Sequence, residues 1–220
     1  MKLLMCFMLT SVFMVGTVNA RELSEVKSEI LKLAESYKGQ MDEDGSKQEA
    51  LEVLVDELVA QIPEMTMAEK AKKAMGVWNQ VWGPYAFDDN NRMPPGIKFD
   101  KIYQYISPNG YYYNFAEYKL LGMNVKSYLR GVYSLEDDRI NVQFTKTGLI
   151  RGRDAVDYAV AGEKIEQGKL KVFNFPSSIP PVGIKGALVE VYADEDMRIN
   201  YGVVGDDLRK SAIFVMKRIK

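Results

Sequence analysis

Residues 187–202 read ALVEVYADEDMRINYG, and after a polar connection residues 211–218 read SAIFVMKR. The first stretch is two apolar strands joined by an acidic turn between Tyr192 and Arg198, and the second is a terminal apolar strand that closes the sheet. This ending decides the fold class, because a chain that finishes on successive antiparallel strands needs a sheet upstream to receive them.

Upstream, the spacing supplies that sheet. VWNQVW at 77–82 alternates with strand period and sets Trp78 and Trp82 on one face. A long loop rich in turn formers, 83–96, follows, of a length that marks a cover or gate. KIYQYI, the turn Ser107-Pro108-Asn109-Gly110 and YYYNFAEYKLL form a hairpin. VKSYLRGVYSLE, Asp137-Asp138 and RINVQFTKTGLI form another. KIEQG and KLKVFNF read as a short strand pair around Gly168, and PSSIPPVGIKG leads into the closing hairpin.

Ahead of the strands the period is helical. Leu23, Val26, Ile30, Leu33 and Tyr37 recur at three and four, with Gly39 placed to stop the helix. Ser46-x-x-Glu49 reads as a capping box for a second helix carrying Leu51, Leu54, Val55, Leu58 and Ile62, which Pro63 ends. Thr66-x-x-Glu69 opens a short third helix that Gly76 terminates. Asp42, Asp44 and Ser46 lack the later ligands and closing Glu of a calcium loop, so MDEDGS reads as a solvated turn. Helices followed by seven to nine consecutive antiparallel strands define an α+β domain. So long a meander closes to remove its edges, and about eight strands can hold one small ligand. The expected fold is therefore an N-terminal helical segment, 21–75, followed by an antiparallel lipocalin-like β-barrel, 76–220.

Residues 1–20 read as a signal peptide: Lys2, the apolar run Leu3 to Val15, then Val18-Asn19-Ala20. The run is shorter than the roughly 20 residues that span a bilayer. The expectation is an exported protein, periplasmic or secreted, starting near Arg21. The single cysteine, Cys6, lies in this segment, so the mature chain has no thiol for a disulfide, metal site or nucleophile. Histidine is absent, which removes Ser-His and Cys-His catalysis and the commonest metal ligand. Of 29 basic residues 28 remain without Lys2, against 30 acidic, a net of −2 with the signs interleaved. That is no footprint for nucleic acid.

The closing hairpin, Y-x-D-E-D-x-R-I-x-x-G at 192–202 followed by I-F-V-x-K-R at 213–218, resembles that of the plastid lipid-associated protein (fibrillin) family. Two positions depart from it: Tyr201-Gly202 stands where the family has Arg-Gly, and Ala193 replaces a Leu. Ile62-Pro63-x-Met65-Thr66 and Gly76-x-Trp78 echo the family's helical start and first strand. The resemblance covers most of the mature chain and implies a lipocalin-like barrel. It also implies association with lipids and isoprenoids, such as carotenoids or quinones, rather than an enzyme or a cofactor.

Candidate ligand-binding residues are the strand aromatics Trp78, Trp82, Tyr103, Tyr105, Tyr111, Tyr113 and Phe115, with Tyr192 and Arg198 from the closing hairpin. Their ordinary role is to fill the barrel and brace cross-strand pairs. Their functional role would be to line a pocket, the apolar body against a lipid and the polar tip orienting it. Asp194, Glu195 and Asp196 read as a structural turn with Arg198 near enough to pair with one of them. Arg151-Gly152-Arg153-Asp154 and Lys217-Arg218-x-Lys220 are solvated edges or contacts for an anionic membrane surface. Two other functions stay open: an interaction module whose barrel is filled by its own side chains, and an enzyme built on Asp, Glu, Tyr or Arg, which would need a buried carboxylate of raised pKa.

Overall fold

A computed structural model describes residues 21–84, 94–152, 156–178, 181–203 and 211–219. The expected signal segment with Cys6, most of the loop 83–96, Arg153-Asp154 and Lys220 lie outside these residues. The elements are α1 (Leu23–Ser36), α2 (Ser46–Val59), α3 (Met67–Ala74), β1 (Gly76–Trp82), β2 (Ile97–Ile106), β3 (Tyr111–Leu120), β4 (Met123–Leu135), β5 (Ile140–Ile150), α4 (Tyr158–Glu166), β6 (Val172–Asn174), β7 (Lys185–Ala193), β8 (Met197–Val203) and β9 (Ala212–Arg218).

Strands β1-β2-β3-β4-β5-β7-β8-β9 pair in that order, every pair antiparallel, and β9 returns to β1. The result is a closed eight-stranded barrel behind N-terminal helices, as the periodicity predicts. The short β6 adds to the far half of β5, Gly148–Ile150, while the near half, Ile140–Gln143, pairs with β7.

Local chemistry sets most boundaries. Thr66 caps α3 with the predicted capping box to Glu69, worth about 1 kcal/mol. The box predicted at Ser46 does not form. Gly45 at φ 82° is the N-cap residue, and the free N–H groups of Lys47 and Gln48 donate instead to the Asp42 carboxylate. The acidic turn read as solvated is thus partly a helix cap. The second correction is α4. KIE of the predicted strand KIEQG belongs to a helix whose first turn donates from Ala159 and Val160 N–H to Asp157 Oδ1. Gly168 at φ 66° follows its end.

The helices occupy three places around the barrel. α1 and α2 lie outside β1, β7, β8 and β9, burying Val26, Ile30, Leu51 and Leu58 against Trp82, Ile199 and Val215. α4 lies outside β2, β3 and β4, where Tyr158 and Ile165 meet Tyr103, Tyr113, Phe115 and Tyr128. α3 stops one end of the barrel, with Met67, Ala71 and Ala74 on Ile106, Tyr112 and Ile140. Three carbonyls at its C-terminal end, of the kind an isolated helix leaves unmet, are taken. Arg218 Nη2 donates to Lys73 O at 2.9 Å, Trp78 Nε1 to Ala74 O at 2.6 Å and Arg218 Nη1 to Met75 O at 3.0 Å. The Arg218 guanidinium also lies 4.0 Å over the Trp78 ring.

Candidate functional site

Residues that line the barrel interior follow from the register. Trp78 pairs with Gln104, Gln104 with Asn114, and Asn114 with Leu129, so these four point the same way. On the closing strands Arg198 pairs with Met216, and Glu190 with Asn200, which pairs with Phe214. Between these walls a cavity of about 390 Å³ remains, within the roughly 300–1,000 Å³ of small-molecule sites. Its sides are Ile102, Ala116, Leu129, Leu188 and Phe214. Tyr112, Gln104 and Leu188 at the end toward α3 are buried, whereas Phe99, Ala116 and Phe144 at the other end are partly exposed. Among the described residues, the cavity therefore has its floor at α3 and opens at the other end, where β1 ends, β2 begins and β7 begins.

Beneath the floor lies a buried polar cluster. Arg198 donates from Nε and Nη2 to the two Glu190 oxygens and from Nη1 to Gln104 Oε1 at 2.8 Å. Arg198 and Glu190 side chains are both 0% exposed. A bidentate pair of this kind cancels its own charge and satisfies the carboxylate at both oxygens. Tyr112 O–H donates to Asn114 Oδ1 at 2.9 Å, and burial pushes its phenol pKa up, so the hydroxyl stays protonated as a donor. Asn200, on the same interior face, leaves Oδ1 without a partner. Among the described residues, no charged side chain borders the cavity, and no group of three or more His, Cys, Asp or Glu could hold a metal.

Two of the nine candidate residues face this interior: Arg198, under the floor, and Trp78, whose indole serves the α3 plug. The other seven face outward. A bulge between Gln80 and Trp82 breaks the alternation of β1, so Trp82 turns under α1 and α2, where Nε1 donates to Gln40 O at 3.1 Å and Tyr37 meets its ring edge-on. The shared face expected of Trp78 and Trp82 is thereby lost. A second bulge, between Glu190 and Tyr192, does the same on β7. Glu190 points in, and Tyr192 points out to Asp194 and Lys27. A bulge inserts one residue and reverses every face beyond it.

Tyr103, Tyr105, Tyr111, Tyr113 and Phe115 do come together, on the outer face beneath α4. Tyr113 and Phe115 stack at 5.3 Å, Phe115 and Tyr158 at 4.6 Å, and Tyr103 and Tyr158 at 4.5 Å. Phe115 borders the cavity from within the wall while its ring stacks outward. Arg130 fastens the end of α4, reaching Glu166 at 2.9 and 2.8 Å with its guanidinium 4.3 Å over Tyr111. Tyr113 O–H also donates to Glu166. Burial works to raise the Glu166 pKa, but Arg130 and Tyr113 outweigh it and hold the carboxyl ionised. In the acidic turn, Arg198 pairs with none of the three carboxylates. Asp194 instead caps the turn by accepting from Asp196 and Met197 N–H, both 2.8 Å, and takes Lys27 from α1.

The PAP_fibrillin family profile matches residues 25–208, most of the described fold. The chain belongs to this family. A search of curated proteins found no match. Among solved structures, a streptavidin-like protein from Bacteroides eggerthii DSM 20697 is similar at 12% identity over 66% of this chain and 82% of that one, with a TM-score of 0.35. The family's closing signature, Tyr192 to Gly202, places Arg198 inside the barrel and Tyr192 outside it. Gln104, Asn114, Tyr112 and Phe214, which shape the cavity, were not among the candidates. Their only trace in the sequence is Gln104 and Asn114 as polar positions within aromatic strands.

Proposed function

We propose that this protein is an exported, non-enzymatic binding protein for one apolar small molecule of the lipid or isoprenoid type, quinones and carotenoids included. The observation that carries this reading is the apolar cavity with a charge-neutral floor at α3. A barrel filled by its own side chains, the alternative for an interaction module, would leave no such space. Each ligand methylene withdrawn from water contributes about 0.8 kcal/mol, which favours a chain lying along Ile102, Leu129 and Phe214. The test is native mass spectrometry of protein purified from its own membrane-containing extract, with lipid extraction and identification. A bound species near one per chain supports the reading. Gly186 borders the cavity and nothing lies within 4 Å of an added Cβ. Gly186→Leu should therefore fill the mouth and leave a folded, empty protein, and retained stoichiometric cargo in that variant would count against the cavity as the site.

A membrane surface as the source of cargo is favoured by the β3–β4 turn beside the mouth. Leu121 is 75% and Met123 60% exposed there, Leu121 sits at φ 51°, and the exposed Lys98 and Lys119 lie alongside. An exposed apolar tip flanked by lysines suits an anionic bilayer. Co-sedimentation with anionic vesicles, reduced by Leu121→Asp, tests it. Export is tested by N-terminal sequencing of the mature protein, which should begin near Arg21.

A further inference from the structure

The polar groups that border the cavity are matched unevenly, and the mismatch selects a ligand. Gln104 and Asn114 stand directly opposite one another on β2 and β3, and both border the cavity. The Gln104 carbonyl oxygen must face Arg198, because a guanidinium only donates; its Oε1 accepts from Nη1 at 2.8 Å. Asn114 Oδ1 is likewise occupied by the Tyr112 hydroxyl at 2.9 Å. Each side chain has thus committed its acceptor to the protein, and what it has left to offer is an NH2 group. Two adjacent donors remain, with no net charge behind them, because Glu190 holds Arg198 through both carboxylate oxygens. Asn200 Oδ1, the unmatched acceptor of the interior, is not part of the cavity lining.

We propose that the ligand carries a neutral carbonyl-type acceptor, a ketone, quinone or ester oxygen, and binds head first with that oxygen on the Gln104–Asn114 amide pair. This rests on the cavity being the ligand site. A pure hydrocarbon leaves both donors unmet, which costs binding. A carboxylate satisfies them but brings a charge beside Arg198, whose own charge is already spent on Glu190, and an uncompensated buried charge costs more than the hydrogen bonds return. A neutral carbonyl oxygen meets the donors without a charge to bury, and unlike a hydroxyl it brings no proton of its own that needs a partner.

The experiment uses the mature protein and three chain-matched probes, decane, 2-decanone and decanoate, titrated at pH 7 by intrinsic tryptophan fluorescence. The infrared carbonyl stretch of bound 2-decanone is recorded alongside. The ketone is expected to bind about tenfold more tightly than either of the others, the worth of one to two hydrogen bonds, with its stretch moved to lower wavenumber. Asn114→Leu, close in volume, removes one amide donor and adds no charge. It should erase most of the ketone preference and the infrared shift while decane affinity stays within about twofold, as expected when one polar contact is lost and apolar burial is untouched. Gln104→Met removes the other donor, again without a charge, and reads the same loss from the other strand if Asn114→Leu does not fold. Equal binding of ketone and decane, or tighter binding of decanoate, overturns this inference and leaves the apolar cavity standing. Failure of all three probes to bind overturns the cavity reading itself.

Discussion

Glu190 and Arg198 meet inside the barrel across the β7–β8 hairpin, Arg198 Nε lying 2.9 Å from Glu190 Oε2 and Nη2 on the other oxygen. Neither is exposed, so removing one strands the other. Glu190→Gln should lower the unfolding free energy by about 3–5 kcal/mol. Arg198→Met combined with Glu190→Leu should cost clearly less than the sum of the single changes. A double-mutant cycle in urea measures both; additive costs would mean that the pair is not coupled.

Asp194 links α1 to the closing turn through Lys27. Burial pushes its pKa up, but hydrogen bonds from Lys27, Tyr192 and the turn N–H groups prevail and bring it from 3.8 down to about 2. A folded pKa below the unfolded one gives stability that is complete above about pH 4 and lost as the pH falls through 2. The linkage is worth about 2 kcal/mol at neutral pH. Asp194→Asn should therefore destabilise the protein at pH 7, and its deficit should shrink toward zero near pH 2. A deficit independent of pH would show that the charge is not what matters.

Gly162 sits inside α4, where Ala ordinarily stabilises a helix by up to 1 kcal/mol. Here an added Cβ would fall 2.8 and 2.9 Å from the Tyr105 ring. Gly162→Ala should reverse the usual sign and cost about 1–3 kcal/mol as an overpacked contact. Thermal unfolding decides it, since a raised midpoint would mean that α4 can lift from the tyrosines at little cost.

The two tryptophans report on opposite sides of the wall. Trp78 lies with Phe214, which borders the cavity, whereas Trp82 lies beneath Tyr37 and α2. Ligand addition should change the emission of Trp82→Phe, which retains Trp78, and leave that of Trp78→Phe nearly constant. The opposite pattern would place the ligand among the N-terminal helices.

Helical and strand period with turn chemistry were legible enough to give the three N-terminal helices, the meander and its closure. Faces were harder. The bulges at Gln80/Trp82 and Glu190/Tyr192 leave no mark in composition, yet each reverses one candidate residue. Tyr103 through Phe115 alternate as expected, but α4 covers the aromatic side, and α4 is missed: only its last residues, KIE, are assigned, as a strand, while Val160 and Gly162 blur the helical period before them. Once a helix is known to lie over the tyrosines, the polar positions between them, Gln104 and Asn114, become the interior. Arg198 stands out as part of the closing hairpin, where the sequence sets it beside the acidic turn; its partner is instead Glu190, because Glu190 pairs with Asn200 and so shares the inward face of β8 with Arg198.

Trp78 and Arg218 hold the end of α3 through the carbonyls of Lys73, Ala74 and Met75, so among the described residues the barrel is a well closed at its α3 end. Under the proposed function, cargo would load and unload at the same end of the barrel, the one away from α3. Directional delivery would then come not from the well itself but from whatever that end faces.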